Sequence, residues 1–190
     1  MKKSYYKFTF NNWLREGKYV KYELNQEFCL KEFNSDRVDA PFYKGEKLNV
    51  DKIYVDINEQ GRKTNFIYVI YCNGFNISPR LKKLLDKFNM PKAQYIPIYL
   101  TGTDKLIGYH VNLLEFFGIE SMNFEKSNVN DYNEVIYPCL KYDVIKDKDL
   151  FSYRLKEDDL VWHLYVSSKL AKAIKKRFFR GIFFKEMKME

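Results

Sequence analysis

The stretch Ile77-Ser78-Pro79-Arg80-Leu81 has a counterpart later in the chain, Val166-Ser167-Ser168-Lys169-Leu170, and the likeness extends from residues 77–98 to residues 166–187. In both copies an apolar strand end leads to a serine, then to apolar residues three and four positions apart, then to an aromatic-rich run. Few residues are identical, so the likeness lies in the order of these features. We therefore predict an internal duplication of one strand-helix-strand unit.

Each copy has the pattern of an amphipathic helix that lies on a sheet. Ser78 and Ser167 are placed to cap these helices, because a serine oxygen accepts a hydrogen bond from the free N–H groups of the first turn. The predicted helices span residues 78–88 and 167–178. Their predicted inner faces are Leu81, Leu84, Leu85 and Phe88 in the first and Leu170, Ala173, Ile174 and Phe178 in the second. Lysines fill the outer faces, as is usual for a solvated helix surface.

Alternating and continuous apolar runs predict strands along the rest of the chain. Residues 6–10 and 20–24 indicate an N-terminal hairpin, and residues 27–49 are polar and irregular, which predicts a loop. The continuous apolar run 66–72 suits a fully buried central strand. Further predicted elements are strands at 53–57, 95–100, 107–111, 135–140, 151–155 and 160–166, and a short helix at 113–117 that Asn112 caps and Gly118 ends.

These elements predict an α+β fold with a mixed, mostly antiparallel sheet and two equivalent Ser-capped helices. A length of 190 residues suits a single domain over residues 1–190. Within it we expect an N-terminal hairpin and loop region, residues 1–65, and a duplicated strand-helix-strand core, residues 66–190.

Composition places the chain among folded proteins of the cytoplasm. Hydrophobic residues make up 46% and aromatic residues 18%, which argues against disorder. No apolar run reaches the roughly 18 residues of a membrane span, and the first residues lack the apolar core of a secretion signal. We therefore expect a cytoplasmic protein without a membrane partner. The cysteines, Cys29, Cys72 and Cys139, are odd in number and lie in apolar runs, so we predict buried, reduced thiols.

The sequence offers no motif for catalysis or for a cofactor. His110 and His163 lie in strand-like runs, without cysteine or carboxylate at metal-ligand spacing. A glycine-rich phosphate loop is also missing. Because Ser78 and Ser167 precede helices, we interpret them as caps and not as nucleophiles. We therefore expect no enzyme activity, no metal and no cofactor.

The order of these elements resembles a known class of binding proteins. The residues that carry the resemblance are Ile77-Ser78, Tyr95-Ile96-Pro97-Ile98, Tyr109-His110-Val111-Asn112, Leu150-Phe151-Ser152-Tyr153-Arg154-Leu155, Val166-Ser167 and Gly181-Ile182-Phe183-Phe184, with the apolar run 66–72. From about residue 65 to the end, the chain resembles immunity protein family 11 of bacterial polymorphic toxin systems, and immunity protein family 43 is a near neighbour. The resemblance implies a non-catalytic cytoplasmic protein that binds and neutralises a cognate toxin domain.

An acidic segment in this basic chain is the predicted partner-binding site. Residues 112–134 carry five carboxylates against the single cation Lys126, although the whole chain has a net charge of +8. Apolar anchors within a charged rim are typical of protein interfaces. The alternative is an ordinary surface loop that tucks Phe124 into the core. The predicted contact residues are Glu115, Glu120, Met122, Phe124, Glu125, Asp131, Tyr132 and Glu134.

The basic charge leaves a second functional hypothesis, a nucleic-acid-binding module. The second predicted helix carries a dense cationic stripe, which could contact phosphates. The same stripe is explained by the solvated face of an amphipathic helix, and no recognised nucleic-acid-binding motif accompanies it. The stripe consists of Lys169, Lys172, Lys175, Lys176, Arg177 and Arg180.

Overall fold

A computed structural model describes residues 4–10, 19–33, 46–70, 72, 75–130, 135–155 and 163–190. The strands and helices in these residues, in chain order, are β1 (Tyr5–Phe10), β2 (Lys21–Leu24), α1 (Gln26–Phe33), β3 (Ile53–Glu59), β4 (Tyr68–Ile70), β5 (Phe75–Ile77), α2 (Pro79–Leu85), β6 (Ala93–Leu100), β7 (Leu106–Leu113), β8 (Met122–Val129), β9 (Val135–Leu140), α3 (Tyr142–Ile145), β10 (Leu150–Phe151), β11 (Leu164–Ser167), α4 (Ser168–Lys176), β12 (Ile182–Glu186) and β13 (Lys188–Met189). A 3₁₀ turn, Ile119–Ser121, precedes β8.

Backbone hydrogen bonds join the described strands into three sheets. Their strand orders are β10-β11-β1-β12, β4-β2-β3-β6-β7-β5 and β13-β9-β8. The neighbouring pairs are mostly antiparallel, whereas β2 with β4, β3 with β6 and β9 with β13 are parallel. The predicted α+β class with mixed, mostly antiparallel pairing is therefore confirmed, although the strands form three sheets and not one.

Helices α2 and α4 occupy similar positions in two different sheets. Helix α2 connects β5 to β6, and both strands run antiparallel to β7, which lies between them. Helix α4 connects β11 to β12, and both strands run antiparallel to β1, which lies between them. Each unit is therefore a strand-helix-strand connection split by one inserted antiparallel strand.

Both helices begin at the serine that the sequence indicates. Ser78 Oγ accepts a hydrogen bond from the Leu81 N–H at 3.2 Å, and Ser167 Oγ accepts one from the Leu170 N–H at 3.1 Å. Pro79 occupies the first helical position, where its fixed φ suits the helix and its missing N–H costs nothing. The start of each helix is thus set by local side-chain chemistry.

The two helices pack antiparallel against each other in one shared core. The Arg80 guanidinium, at the start of α2, lies 4.9 Å from the ring centre of Phe179, which follows α4. The Lys169 ammonium, at the start of α4, lies 5.3 Å from the ring centre of Phe88, which follows α2. Beneath them is the largest apolar cluster, which includes Leu81, Leu84, Leu85, Leu170, Ala171 and Ile174.

An Asx residue at each end of this helix pair joins one helix start to the other helix end. Asn65 exchanges two hydrogen bonds with the backbone of Arg180, and its carbonyl accepts from the Ser78 N–H at 2.9 Å. Asp149 exchanges the same two bonds with the backbone of Asn89, and its carbonyl accepts from the Ser167 N–H at 2.9 Å. The side chains of Asn65 and Asp149 also bond to the respective serine hydroxyls, at 3.0 and 2.6 Å.

The predicted N-terminal hairpin is wrong. Strand β1 pairs with β11 and β12, whereas β2 pairs with β3 and β4 in the six-stranded sheet. Both segments have the alternation of a strand, but alternation does not specify a partner. The N-terminal strand instead completes the four-stranded sheet beneath α4, next to the last strands of the chain.

Two segments of the six-stranded sheet region also differ from prediction. The expected loop at 27–49 contains most of helix α1, where Asn25 Oδ1 accepts from the Phe28 N–H at 3.0 Å as an N-cap. Residues 34–45 of that segment lie outside the described residues. The apolar run 66–72 gives only the three-residue strand β4, which lies at a sheet edge and not at its centre.

The short helix predicted at 113–117 is not formed. Strand β7 continues through Leu113, and Asn112, the expected cap, donates its side-chain N–H to the Glu46 carbonyl at 2.6 Å. The hairpin of β6 and β7 is as predicted, with Gly102 at a φ of 69° in its turn. The strand expected at 151–155 is wrong beyond Phe151, because β10 ends there and residues 152–155 form no strand. The strand expected at 160–166 is observed in part as β11, and residues 156–162 are not described.

The inner face predicted for the second helix is wrong at its end. Helix α4 stops at Lys176, and Phe178 adopts a φ of 52°, a left-handed conformation that reverses the chain. Phe178 is therefore 87% exposed, and Phe179 enters the core instead. Within the helix Ala171 is buried, whereas Ala173 is only partly so.

We predict that Leu81→Ala and Leu170→Ala each lower the free energy of unfolding by about 2–5 kcal/mol, because truncating a fully buried leucine leaves a cavity. Both side chains are 0% exposed. Chemical denaturation followed by circular dichroism measures the change. Leu30→Ala is the control, since this α1 side chain is 54% exposed and should change stability by less than about 0.5 kcal/mol. Equal stability of the three variants would contradict the packing of α2 and α4.

Candidate functional site

From residue 112 to residue 130, the acidic segment consists mostly of regular elements of the fold and is not one long loop. It contains the end of β7, a link at residues 114–118, the 3₁₀ turn and the whole of β8. Strand β8 pairs antiparallel with β9, with Met122 opposite Leu140 and Val129 opposite Val135. Register shifts between these two points disturb the alternation, which explains why the sequence shows no clear period here.

Glu115 lies apart from the other predicted contact residues. Lys148 Nζ donates to its two carboxylate oxygens at 2.8 and 3.0 Å, and the Lys92 N–H donates to Oε2 at 2.8 Å. These hydrogen bonds, the one from Lys148 first, lower the pKa of the Glu115 carboxyl group. Glu115 therefore joins three segments of the fold, and its charge is already matched.

Four of the predicted residues, Glu120, Met122, Phe124 and Glu125, line one shallow depression. Met122 is 1% exposed and forms its buried floor, whereas Phe124 keeps 36% of its surface exposed and is therefore not tucked into the core. Glu120 Oε1 accepts the Gly118 N–H at 2.7 Å, which fixes this carboxylate at the rim. The structure thus brings half of the predicted set together around an apolar surface with acidic neighbours.

Three further residues line the depression and were missed by sequence reasoning: Ile119, Asn123 and Lys141. Ile119 is 62% exposed, the larger apolar surface of the site, and its position beside Glu120 in the chain was a usable signal. Lys141 comes from the end of β9, and only the pairing of Met122 with Leu140 brings it here. Asp131, Tyr132 and Glu134, the remaining predicted residues, lie outside the described residues.

A cysteine, a histidine and an asparagine meet inside the six-stranded sheet region. His110 Nδ1 is 2.9 Å from Asn76 Oδ1 and 3.7 Å from Cys72 Sγ. Because an amide oxygen only accepts, Nδ1 carries the hydrogen and cannot take a proton from the thiol. Burial lowers the pKa of His110 to about 3, so its ring is neutral. The three residues are at most 1% exposed and form a structural cluster closed to substrates.

The cysteines and His163, the other candidates for chemistry, also lie in structural surroundings. Cys29, Cys72 and Cys139 are buried and are not joined in disulfides, as predicted. His163 is half-buried, and its Nε2 lies 3.3 Å from Lys7 Nζ. Within the described residues, no group of three or more histidine, cysteine, aspartate or glutamate side chains is arranged to hold a metal ion.

The cationic stripe of α4 is partly occupied by contacts within the protein. Lys169 Nζ lies 3.7 Å from Asp149 Oδ2 as well as over the Phe88 ring. The Lys175 ammonium lies over the rings of Tyr6 and Phe184, at 5.5 and 5.4 Å. Lys172 and Lys176 remain on the exposed surface. The stripe therefore contributes to packing and is not a uniform phosphate-binding track.

The buried neutral His110 predicts a pH dependence of stability. Its pKa is about 3 in the folded protein, below the ordinary value of 6.5, so the unfolded chain binds the extra proton between these pH values. Stability should therefore fall as the pH is lowered from 6.5 towards 3, by up to about 1.4 kcal/mol per pH unit from this group. His110→Asn keeps a side-chain N–H donor for Asn76. In denaturation curves measured at pH 4–6, its free energy of unfolding should fall less steeply with decreasing pH, by that amount per pH unit. Parallel slopes in the two proteins would contradict the assignment.

Comparisons with known proteins do not supply an identity. No family model and no curated protein matches the chain. In the described part of the chain, no helix has the length and apolar character needed to cross a membrane. The family resemblance drawn from the sequence therefore enters the functional argument as a proposal.

Proposed function

We propose that this chain is an immunity protein that binds a cognate bacterial toxin domain and neutralises it by stoichiometric association in the cytoplasm. The observation that carries the proposal is the depression at the start of β8, which exposed Ile119 and Phe124 line together with the acidic Glu120 and Glu125. The resemblance to immunity protein family 11 supplies the partner class. This function needs neither catalysis nor a cofactor from the chain.

The depression has the composition of a binding hot spot. Large apolar side chains that become fully desolvated contribute most of the affinity of an interface, and charges at its rim set encounter rate and specificity. Ile119 is 62% and Phe124 36% exposed, so both have apolar surface that a partner would cover. We place the toxin contact here and not at Glu115, whose carboxylate is bonded to Lys148.

A rigid base supports this surface. Asn123 Nδ2 donates to Glu190 Oε2 at 2.6 Å, and Lys126 pairs with the other oxygen of the same carboxylate. Ser127 Oγ accepts the Cys139 N–H at 2.8 Å across the bulge between β8 and β9. These contacts link the strand that carries Phe124 to β9 and to Glu190. Links of this kind within the free protein reduce the entropy that is lost on binding.

We also propose that α2, α4 and their flanking strands are two equivalent units that arose by duplication. Three features support it: the split strand-helix-strand connection, the serine cap and the Asx bridge are each present twice. Arg80 and Lys169 each lie two residues after the capping serine of their helix. The charged group of each lies over a phenylalanine ring that follows the other helix. A duplicated scaffold would leave the β8–β9 hairpin as the part specific to the partner.

We predict that Phe124→Ala combined with Glu125→Lys abolishes protection when the chain is co-expressed with the toxin domain encoded beside it. Loss of one anchor and reversal of one rim charge should weaken the complex by at least about tenfold, or 1.4 kcal/mol. Protection is scored by growth, and affinity by calorimetry on the purified pair. Glu125 is preferred to Glu120 for reversal because Glu120 also bonds to the Gly118 backbone.

The matched control is Leu30→Ala combined with Glu27→Lys on helix α1. It removes an apolar side chain that is more exposed than Phe124, 54% against 36%, and reverses one exposed charge, but away from the depression. It should retain protection, and both variants should unfold as cooperatively as the parent. Full protection by the Phe124/Glu125 variant would move the interface elsewhere. Absence of any complex with the toxin domain, together with tight binding to nucleic acid, would reject the immunity function in favour of the nucleic-acid-binding alternative.

A further inference from the structure

Among the residues that the structure describes, one face of the four-stranded sheet is only half covered. Tyr6, Phe8 and Phe184 point towards α4 and belong to the core beneath it. Because side chains alternate along a strand, Tyr5, Lys7, Phe183 and Lys185 point to the opposite face. Tyr5 is buried there against Leu140 and Ile145 of the neighbouring elements. The other half of this face, at Lys7, Phe183 and Lys185, extends beyond that cover.

Two lysines lie side by side on the uncovered half. Lys7 of β1 is directly opposite Lys185 of the edge strand β12, so the two side chains share the face. Burial lowers the pKa of Lys7, and the positive charge of Lys185 lowers it further. Within the described residues, neither lysine forms an ion pair with a carboxylate. Like charges directly opposite each other destabilise a sheet. The contacts of Lys7 Nζ with His163 Nε2, at 3.3 Å, and of Lys185 with Tyr137 offset part of this cost.

Aromatic side chains flank the two lysines. Phe183 lies two residues before Lys185 on the same face and is 51% exposed. Tyr137 of β9 lies beneath the Lys185 ammonium, 3.7 Å from its ring centre, and is 44% exposed. Lys185 lowers the pKa of the Tyr137 hydroxyl, mainly through a hydrogen bond. Apolar surface beside uncompensated positive charge is the complement of an acidic segment that carries an apolar anchor.

We propose that the surface formed by Lys7, Tyr137, Phe183 and Lys185 is a second protein-binding surface, and that it binds a segment of another protein rich in glutamate and aspartate. It lies at the Asn128–Tyr137 end of the β8–β9 hairpin, whereas the depression lies at the Met122–Leu140 end. This surface is also basic, whereas the residues around the depression are mostly acidic. This surface therefore does not depend on the proposed toxin contact and would serve a different part of a partner, or a different partner.

An acidic protein fits this surface better than a single-stranded nucleic acid does. Nucleic-acid grooves combine a track of cations with aromatic rings whose faces are open for bases. Here one face of Tyr137 is already occupied by Lys185, which leaves Phe183 as the open ring beside the pair. The cations of α4 lie on the other side of the sheet, because Lys175 packs over Tyr6 and Phe184, so they do not extend the positive surface into a track.

The test is a titration of the isotope-labelled full chain with a synthetic peptide rich in glutamate and aspartate and containing one leucine, followed by NMR. We expect amide shifts to concentrate at Lys7, Tyr137 and Phe183, and binding to weaken as salt is added. Lys7→Glu combined with Lys185→Glu should weaken binding by at least about tenfold. The control, Lys172→Glu combined with Lys176→Glu, makes the same change of net charge on α4 and should bind as the parent does.

A conservative variant separates binding from folding. Lys7→Gln removes one member of the like-charged pair, so its thermal unfolding midpoint should be unchanged or higher while peptide affinity falls severalfold. A lower midpoint would show that Lys7 serves the fold. Absence of peptide binding, equal loss in the α4 control, or tighter binding of oligo(dT) to the same residues would each overturn the proposal. None of these results depends on whether the depression binds a toxin.

Discussion

The antiparallel contact between α2 and α4 is the interaction on which the rest of the structure depends. The helices have only seven and nine residues, and helices of this length are not stable alone in water. They persist because Leu81, Leu85, Leu170 and Ile174 are buried in one shared core. Since each helix is the connection between two strands, this contact also fixes where the four-stranded and six-stranded sheets lie relative to the core.

The Asx bridges make this arrangement specific. A core of leucine, isoleucine and phenylalanine gains similar free energy in several helix orientations, whereas hydrogen bonds have directions. Asn65 and Asp149 each bond to the serine that starts one helix and to the backbone that follows the other. Asn65 donates to Ser78 while Asp149 accepts from Ser167, so the two sites use different groups to make equivalent bridges. These half-buried polar groups define the register of the helix pair.

The scaffold leaves its two candidate surfaces at opposite ends of one hairpin. The β8–β9 hairpin contributes Phe124 and Glu125 to the depression and Tyr137 to the basic surface. The two surfaces have opposite charge. The net charge of +8 for the whole chain therefore does not give the sign of the local charge at either surface. By contrast, the groups most suggestive of chemistry, Cys72 and His110, are 0% exposed and serve the interior.

The sequence by itself determined the local elements, because their causes are local. The serine caps, the helix stripes apart from Phe178, the β6–β7 hairpin and the buried cysteines follow from residues within a few positions of each other. The four predicted residues that line one depression, Glu120, Met122, Phe124 and Glu125, are likewise close in the chain. Only the tertiary structure decided which strands pair, since alternation is the same for any partner; it separated β1 from β2 and left residues 68–70 at an edge. It likewise matched Glu115 with Lys148 and set Lys7 opposite Lys185, because contacts between distant segments depend on the packing of the whole chain and on no local pattern.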